Sequence, residues 1–236
     1  MPSRRLIEID LLRSLAIALM VMYHAAFDLW FFLGLPIDLH SLPWVVVQKS
    51  SVILFLLLVG VSVELSYRSL RRSVMRFLRI GVAATIVTVV TLIVLPDAYV
   101  RFGVLHLIAL SSLLMFPLRL LREWNALIGM LIIVFGERAL RLLFSPSAWL
   151  IPVGLAPEHF STLDYVPLVP WFGVVLIGNA IGSAWFTRYG SITRSFRVPQ
   201  DRRLLILARP GRHALIIYLV HQPLLLLGLL AYMKLW

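Results

Sequence analysis

The residues of this chain whose types and spacing could do chemistry begin with a histidine and an aspartate in its first apolar run. His24 and Asp28 stand four positions apart, so on a helix they share one face. A carboxylate beside an imidazole fixes its tautomer, raises its basicity and stabilises the imidazolium that forms when the ring takes a proton. The pair therefore has the chemistry of a general base. The alternative interpretation is that the two side chains only neutralise each other between packed helices.

Other polar side chains fall inside apolar runs, where an ionisable group costs several kcal/mol and usually faces a cavity with a function. His221 and Gln222 lie in the middle of the last run, and Arg13 lies near the start of the first, with ten residues between it and His24. We expect a polar cavity that is open to the extracytoplasmic side, with His24 at its floor. The residues predicted to line its substrate side are Arg101, His106, Asp164 and Tyr165.

Seven apolar runs must position these side chains, because each is long enough to cross about 30 Å of hydrocarbon as a helix. Their predicted bounds are residues 9–33, 43–66, 75–95, 102–121, 124–143, 165–187 and 212–234. Of the 236 residues, 61% are hydrophobic and only 14% are charged, which excludes a soluble domain of this length. The predicted fold is therefore all-α, a polytopic membrane helical bundle that forms a single domain over residues 1–236.

The net charge of +11 raises the question of a nucleic-acid partner, and the distribution of the arginines argues against one. Most arginines fall in alternate connections between the runs, which is the pattern of cytoplasmic loops. This predicts an N-terminus inside and a C-terminus outside, as an odd number of spans requires. The same arginines also suit lipid headgroups or a phosphate-bearing ligand. Those assigned to such a ligand are Arg68, Arg71, Arg72, Arg197, Arg202, Arg203 and Arg209.

Several common catalytic and metal-binding signatures are missing from the sequence. It contains no HExxH pair, no Walker-type phosphate loop and no GxSxG elbow, which are the motifs of zinc proteases, phosphate binders and serine hydrolases. It also has no cysteine, which excludes thiolate ligands and disulfides. The spacing of the histidines carries no ligand signature, so we expect no metal.

Four stretches of the sequence together resemble one family of membrane proteins. They are RLIEIDLLRSLAIALMVMYHAAFDLWFF at the N-terminus, FGVLHLIALSS at 102–112, DYVPLVPWFGVVLIG at 164–178 and GRHALIIYLVHQP at 211–223. These segments look like bacterial members of the heparan-α-glucosaminide N-acetyltransferase catalytic-domain family. The arrangement of Arg13 and His24 is also similar to the R-x10-H motif of the acyltransferase-3 membrane family. The resemblance implies a transmembrane acyltransferase of the bacterial inner membrane. It would move acetyl from cytoplasmic acetyl-CoA to an amine or hydroxyl of an amino-sugar or glycan-like acceptor on the other side.

The two families place the catalytic histidine differently. The acyltransferase-3 motif points to His24, whereas an H-x-P-W-like stretch between the first two spans of the heparan branch points to His40. The matching residues here are His40-Ser41-Leu42-Pro43-Trp44. We favour His24, oriented by Asp28, as general base, and keep His40 as the alternative. A covalent acetyl-imidazole is the second mechanism considered. In this interpretation His221 and Gln222 contact the substrate, and Arg13 joins the arginines that bind acetyl-CoA.

The chain has fewer spans than relatives in both families, which leaves open a partner subunit, including a homodimer, besides the surrounding membrane lipid. Two other functions compete with the enzyme. One is a transporter or channel for a small solute or anion that uses the same cavity, although the sequence shows no paired Gly/Pro-broken spans in its two halves. The other is a structural subunit of a larger complex, which would leave the intramembrane histidines unexplained.

Overall fold

A computed structural model describes residues 6–66, 69–189 and 202–235. Most of these residues form helices, which confirms the predicted all-α class. The helices are α1 Ile7–Leu33, α2 Leu42–Ser66, α3 Leu70–Val94, α4 Val104–Leu118, α5 Trp124–Leu143, α6 Leu168–Tyr189, α7 Arg202–Leu207, α8 Arg209–Arg212 and α9 Ala214–Leu235. Short 3-10 turns lie at Arg119–Leu121 and Ala148–Leu150. Two of the arginines assigned to a phosphate-bearing ligand, Arg68 and Arg197, lie outside the described residues.

Among the described residues, six helices are long and apolar enough to cross a membrane, as expected of a multi-pass membrane protein. They are Ile7–Leu33, Leu42–Leu65, Leu70–Val94, Val104–Leu121, Leu168–Trp185 and Ala214–Lys234. The fifth predicted span is a helix with the predicted bounds, Trp124–Leu143, but its second half carries Glu137, Arg138 and Arg141. Charged groups make a helix costly to insert. The count of seven spans and the N-in, C-out orientation therefore stay predictions.

The described helices follow the predicted runs within a few residues, except at the start of α3. The third run was predicted to begin at residue 75, and α3 begins at Leu70. Its first turns carry Arg71, Arg72 and Arg76. These arginines lower the hydropathy of the segment, so the apolar run begins later than the helix does. Arginine is a good helix former, and its long side chain can leave the hydrocarbon while its backbone stays helical.

The chain divides into two compact units, which are described separately. The first comprises Met1–Phe55 and Arg197–Trp236, and the second comprises Leu56–Phe196. The boundary falls within α2. The single domain over residues 1–236 stays a prediction.

The first unit is held together by contacts of α1 with α2 and with the segment before α9. The hydroxyl of Ser51 in α2 donates a hydrogen bond of 3.0 Å to the backbone oxygen of the fully buried Ala16 in α1. Gly211 in α8 lies so close to α1 that a Cβ there would collide with the backbone oxygen of Asp10. Small side chains and interhelical hydrogen bonds are the usual means by which membrane helices associate.

The second unit shows the same type of close packing around α6. A Cβ at Gly178 would collide with the backbone oxygen of Leu57 in α2. Between α5 and α6, the amide of Asn125 donates a hydrogen bond of 2.8 Å to Oδ1 of Asn179, and both side chains are fully buried. Glycine at such contacts lets two backbones approach, and the hydrogen bond between the two amides pairs a donor with an acceptor that hydrocarbon would leave unsolvated.

Candidate functional site

His24 lies on α1, in the first unit, with its ring partly buried. Its Nδ1 is 2.9 Å from the backbone oxygen of Met20, one turn earlier in the same helix. A carbonyl oxygen can only accept, so Nδ1 carries the proton of this hydrogen bond. In the neutral ring Nε2 then holds a free lone pair. The fold therefore leaves Nε2 as the unprotonated nitrogen of the neutral His24 ring.

His221 on α9 faces His24 and adopts the same arrangement. Its Nδ1 lies 2.6 Å from the backbone oxygen of Tyr218, so Nδ1 is again the donor. The centroids of the two imidazole rings are 4.8 Å apart and the rings meet edge to face, at 77°. His221 is only 8% exposed, and its Nε2 is buried with no hydrogen-bond partner among the described residues.

Asp28 and Gln222 form the second contact between α1 and α9. Nε2 of Gln222 donates a hydrogen bond of 2.7 Å to Oδ1 of Asp28, which is 3% exposed. This differs from the expected role of Asp28 as the group that orients His24. The carbonyl of Met20 sets the tautomer of His24 instead, because it lies within reach of Nδ1 on the same helix. Asp28 instead fixes the position of Gln222, and with it the level at which His221 meets α1.

The atoms that this cluster leaves unpaired are all acceptors. Oδ2 of Asp28, Oε1 of Gln222 and Nε2 of His221 are buried without a hydrogen-bond partner in the part of the chain that the structure describes. A buried polar group without a protein partner is costly, and in a native protein it is usually explained by a bound ligand, an ordered water or a functional role. Such a cluster is complementary to a ligand that donates several hydrogen bonds, as an amine or a polyol does.

A second group of polar residues joins α1 to α8 near the start of α1. Oδ1 of the buried Asp10 lies 3.2 Å from Arg13, and its Oδ2 lies 3.4 Å from Nε of Arg212. The backbone N–H of Gly211 donates a hydrogen bond of 2.8 Å to the hydroxyl of Ser14. Sequence reasoning named Arg13 but missed the other four residues. The i,i+3 spacing of Asp10 and Arg13 could have indicated their ion pair, whereas the contacts with α8 leave no local signal.

The other predicted donor-binding arginines lie on exposed positions. Arg202 and Arg203 begin α7 and Arg209 begins α8, all in the first unit. Arg71 and Arg72 lie in the first turn of α3, in the second unit. A guanidinium group can form two parallel hydrogen bonds with phosphate.

His106, predicted to line the substrate side, lies in the second unit and uses both of its ring nitrogens internally. Nδ1 accepts a hydrogen bond of 3.2 Å from the backbone N–H of Gly103, at the start of α4. Nε2 lies 3.2 Å from the hydroxyl of Thr88. That hydroxyl donates its own proton to the backbone oxygen of Val100 at 2.8 Å. Nε2 of His106 is therefore the donor of its pair, and the ring is held in the Nε2–H tautomer.

The three other predicted substrate-side residues lie near the same end of α4. Asp164 accepts a hydrogen bond of 2.9 Å from the backbone N–H of Val104. The hydroxyl of Tyr165 donates one of 2.9 Å to the backbone oxygen of Ile151, and burial raises the pKa of Tyr165. The guanidinium of Arg101 lies 5.3 Å from the ring centre of Phe160. Each of the three has a local structural partner, and their contact with a substrate stays a prediction.

His40, the alternative catalytic residue, is exposed in the connection between α1 and α2. Its backbone N–H donates a hydrogen bond of 3.0 Å to Oδ1 of Asp38. The ring is not part of the cluster formed by His24, Asp28, His221 and Gln222. Among the described residues, no group of three or more histidine, aspartate or glutamate side chains is arranged to hold a metal ion.

Comparison with known families decides the class of the protein. Residues 5–223 match the family described as heparan-alpha-glucosaminide N-acetyltransferase, catalytic. The chain belongs to this family. Membership confirms the resemblance read from the four sequence stretches, and it implies a membrane acetyltransferase. The range that matches the family includes both histidines of the cluster as well as Asp28 and Gln222. No curated protein and no solved structure matches the chain.

Proposed function

We propose that this chain transfers acetyl from acetyl-CoA to an amine or hydroxyl of an amino-sugar or glycan-like acceptor, with His24 as general base. The observation that carries the proposal is the hydrogen bond from Nδ1 of His24 to Met20, which leaves Nε2 as the basic atom. That base lies beside a buried cluster whose unpaired atoms are hydrogen-bond acceptors. Such atoms suit an acetyl acceptor that carries N–H or O–H groups. Membership of an acetyltransferase family supports the reaction class.

The reaction needs one base for each proton that the attacking atom must lose. Nε2 of His24 takes a proton from the acceptor as its nitrogen or oxygen attacks the thioester carbonyl carbon. The new C–N or C–O bond forms and the C–S bond breaks, so the bonding electrons leave on the sulfur as a thiolate. The imidazolium of His24 then returns its proton to the thiolate, which gives free CoA and restores the base.

Arginines at the predicted cytoplasmic ends of the helices are the proposed contacts for the phosphates of acetyl-CoA. In the first unit these are Arg13, Arg202, Arg203 and Arg209. Arg13 is held by Asp10, and the neighbouring Arg212 shares that carboxylate, so the group keeps a net positive charge. A nucleotide with several phosphate charges would bind there by charge-assisted hydrogen bonds. We propose the bacterial inner membrane as the location, since the donor is then cytoplasmic and the acceptor extracytoplasmic.

His24 is preferred over His40 because of their surroundings. A general base must be held within hydrogen-bond reach of the proton that it removes. His24 has a defined tautomer and a packed aromatic neighbour in His221. His40 lies on an exposed connection, and its hydrogen bond to Asp38 is made by the backbone N–H and does not orient the ring.

The proposal is tested by following free CoA thiol with the full chain reconstituted in lipid nanodiscs. Acetyl-CoA is supplied with and without an alkyl glucosaminide as acceptor. We expect thiol release that depends on the acceptor and matches the acetylated product in amount, and almost none with His24→Ala. Acceptor movement without thiol release would make the protein a transporter and overturn the enzyme. Mass spectrometry after mixing with acetyl-CoA alone tests the other chemistry, since an acetylated His24 would replace direct transfer by a covalent intermediate.

A further inference from the structure

The single base in the proposed reaction leaves His221 without a part in the proton transfers. Its ring is almost fully buried, lies 4.8 Å from that of His24, and carries an unpartnered Nε2. A histidine kept only for packing would be expected to satisfy both nitrogens, as His106 does in the second unit. The difference indicates that Nε2 of His221 is reserved for a ligand.

The position of that lone pair is fixed by two hydrogen bonds. The bond from Nδ1 to Tyr218 sets the tautomer and prevents the ring from turning over. The next residue, Gln222, is held by Asp28 across the helix pair. The two imidazoles therefore meet edge to face. Each is hydrogen-bonded through Nδ1 to a backbone oxygen of its own helix, and each keeps Nε2 as a base. Such restraint is what positions a catalytic group.

We propose that His221 is a second base, which takes the first proton from an acceptor that enters the site as an ammonium ion. The proposal rests on the acetyltransferase function proposed above and extends its chemistry. A primary ammonium must lose two protons to become an amide, one before its nitrogen can attack and one as the new bond forms. A hydroxyl loses only one. Two adjacent bases therefore match the two protons that an ammonium loses, and are one more than a hydroxyl needs.

The protons and electrons balance in the following order. Nε2 of His221 takes a proton from R–NH3⁺, which leaves R–NH2 with a nucleophilic lone pair. This lone pair attacks the thioester carbonyl carbon while Nε2 of His24 takes the second proton. The C–S bond breaks with its electrons on sulfur, and His24 passes its proton to the thiolate to give CoA. The proton on His221 is released to water, so each turnover yields the amide, CoA and one proton.

The rest of the cluster favours the charged form of such an acceptor. Oδ2 of Asp28, one turn beyond His24, and Oε1 of Gln222, the residue after His221, are unpartnered hydrogen-bond acceptors, and a carboxylate attracts an ammonium strongly where water is scarce. An ammonium offers three N–H donors to these atoms. The site therefore binds the acceptor in the form that cannot react, and this is why a base must act before the attack.

The test compares two acceptors that differ in the basicity of one nitrogen. One is an alkyl glucosaminide, which is largely an ammonium ion near neutral pH. The other is its N-hydroxy derivative, whose weakly basic nitrogen is largely uncharged. We expect His221→Gln to lose about 10²-fold in kcat/KM with the glucosaminide, the size of a positioned general base, and to keep most of its activity with the N-hydroxy probe. His24→Gln should lose activity with both, because the second proton must be removed in either case.

Activity of His221→Gln toward the N-hydroxy probe also shows that the variant is folded. Equal losses with both acceptors, or no loss with either, would overturn the second-base role. If the wild-type protein acetylates neither acceptor, the proposed function itself fails, which is a distinguishable result.

A measurement on the wild-type protein keeps the test decisive if the variants do not fold. The ratio of kcat/KM for the two acceptors is followed as the pH is lowered and the glucosaminide becomes fully protonated. His24 and Tyr218 contact His221 in this unit, and Asp28 is bonded to the neighbouring Gln222. Nε2 of His24 removes a proton from either probe, so its titration cancels in the ratio, and the ratio is compared over the pH range in which Asp28 stays a carboxylate. A second base predicts a level ratio over the pH range in which Nε2 of His221 stays unprotonated, since only the glucosaminide reacts through that base. A fall of about tenfold per pH unit would mean that only the neutral amine is used, and would contradict the proposal.

Discussion

Gln222 donates a hydrogen bond of 2.7 Å from Nε2 to Oδ1 of Asp28, although 194 positions separate the two residues in the chain. The bond joins α9 to α1 about one turn beyond His24. It also sets the level at which the preceding residue, His221, meets the ring of His24. Near the start of α1, Asp10 is shared by Arg13 and by Arg212 of α8. The candidate site is thus built where α1 and the C-terminal segment are tied together at two levels.

The contribution of the Asp28–Gln222 bond is measurable with a double-mutant cycle. Gln222→Leu removes the donor from a buried carboxylate, and we expect a loss of about 1.5–3 kcal/mol in unfolding free energy, as for hydrogen bonds to charged groups. Asp28→Asn removes the charge that needs a partner. The double variant should therefore lose less than the sum of the two single losses. Thermal and denaturant unfolding in detergent measure all three, and strictly additive losses would mean that the two side chains do not interact.

The choice between the two candidate bases is decided by a matched pair of histidine variants. His24→Ala should lower turnover by about 10²–10⁴-fold, since that is the value of a positioned proton transfer. Binding of acetyl-CoA should survive in that variant, because the imidazole is a base and not an anchor for phosphate. His40→Ala should keep most of its activity. The opposite pattern, a dead His40→Ala and an active His24→Ala, would assign the chemistry to the connection between α1 and α2.

Removal of arginine charge should weaken the binding of acetyl-CoA more than it slows the chemical step. The triple replacement of Arg202, Arg203 and Arg209 by glutamine is expected to raise the KM for acetyl-CoA well above its effect on kcat, because these groups would bind phosphate and do not touch the thioester. Arg138→Gln on α5 is the control, since it removes charge at the predicted outer end of a helix. Steady-state kinetics with varied acetyl-CoA measure the effect. An unchanged KM in the triple variant would show that the donor binds elsewhere.

The number of spans can be read from cysteine accessibility, since the natural chain has no cysteine. Single cysteines are placed at Leu121, between α4 and α5, and at Ser147, after α5. If α5 crosses the membrane in the predicted orientation, an impermeant thiol reagent added outside whole cells should label only Ser147→Cys. Leu121→Cys should react only after the cells are opened. Labelling of both positions from the same side would make α5 a helix that does not span, and would reduce the count to six.

Much of the architecture followed from local properties of the sequence. The length and hydropathy of each run predicted the helices, and the bounds 124–143 were those of α5, because an apolar run of about 20 residues is typical of a helix. The shared face of His24 and Asp28 was equally predictable from helical spacing. Family membership was also readable, since the stretches that carry the resemblance are spread along the matched range.

Only the tertiary structure decided which side chains meet. The sequence placed His24, Asp28, His221 and Gln222 at similar depth, but helical periodicity leaves open how two distant helices are rotated about their axes. Their packing brought the rings of His24 and His221 into contact. It also made Gln222, and not His24, the hydrogen-bond partner of Asp28. The tautomers depended on two backbone carbonyls, of Met20 and Tyr218, that lie within reach of the rings. Hydrogen bonds of this kind require atoms to lie within about 3 Å of each other, and that distance is set by the packing of whole helices and not by the spacing of residues along the chain.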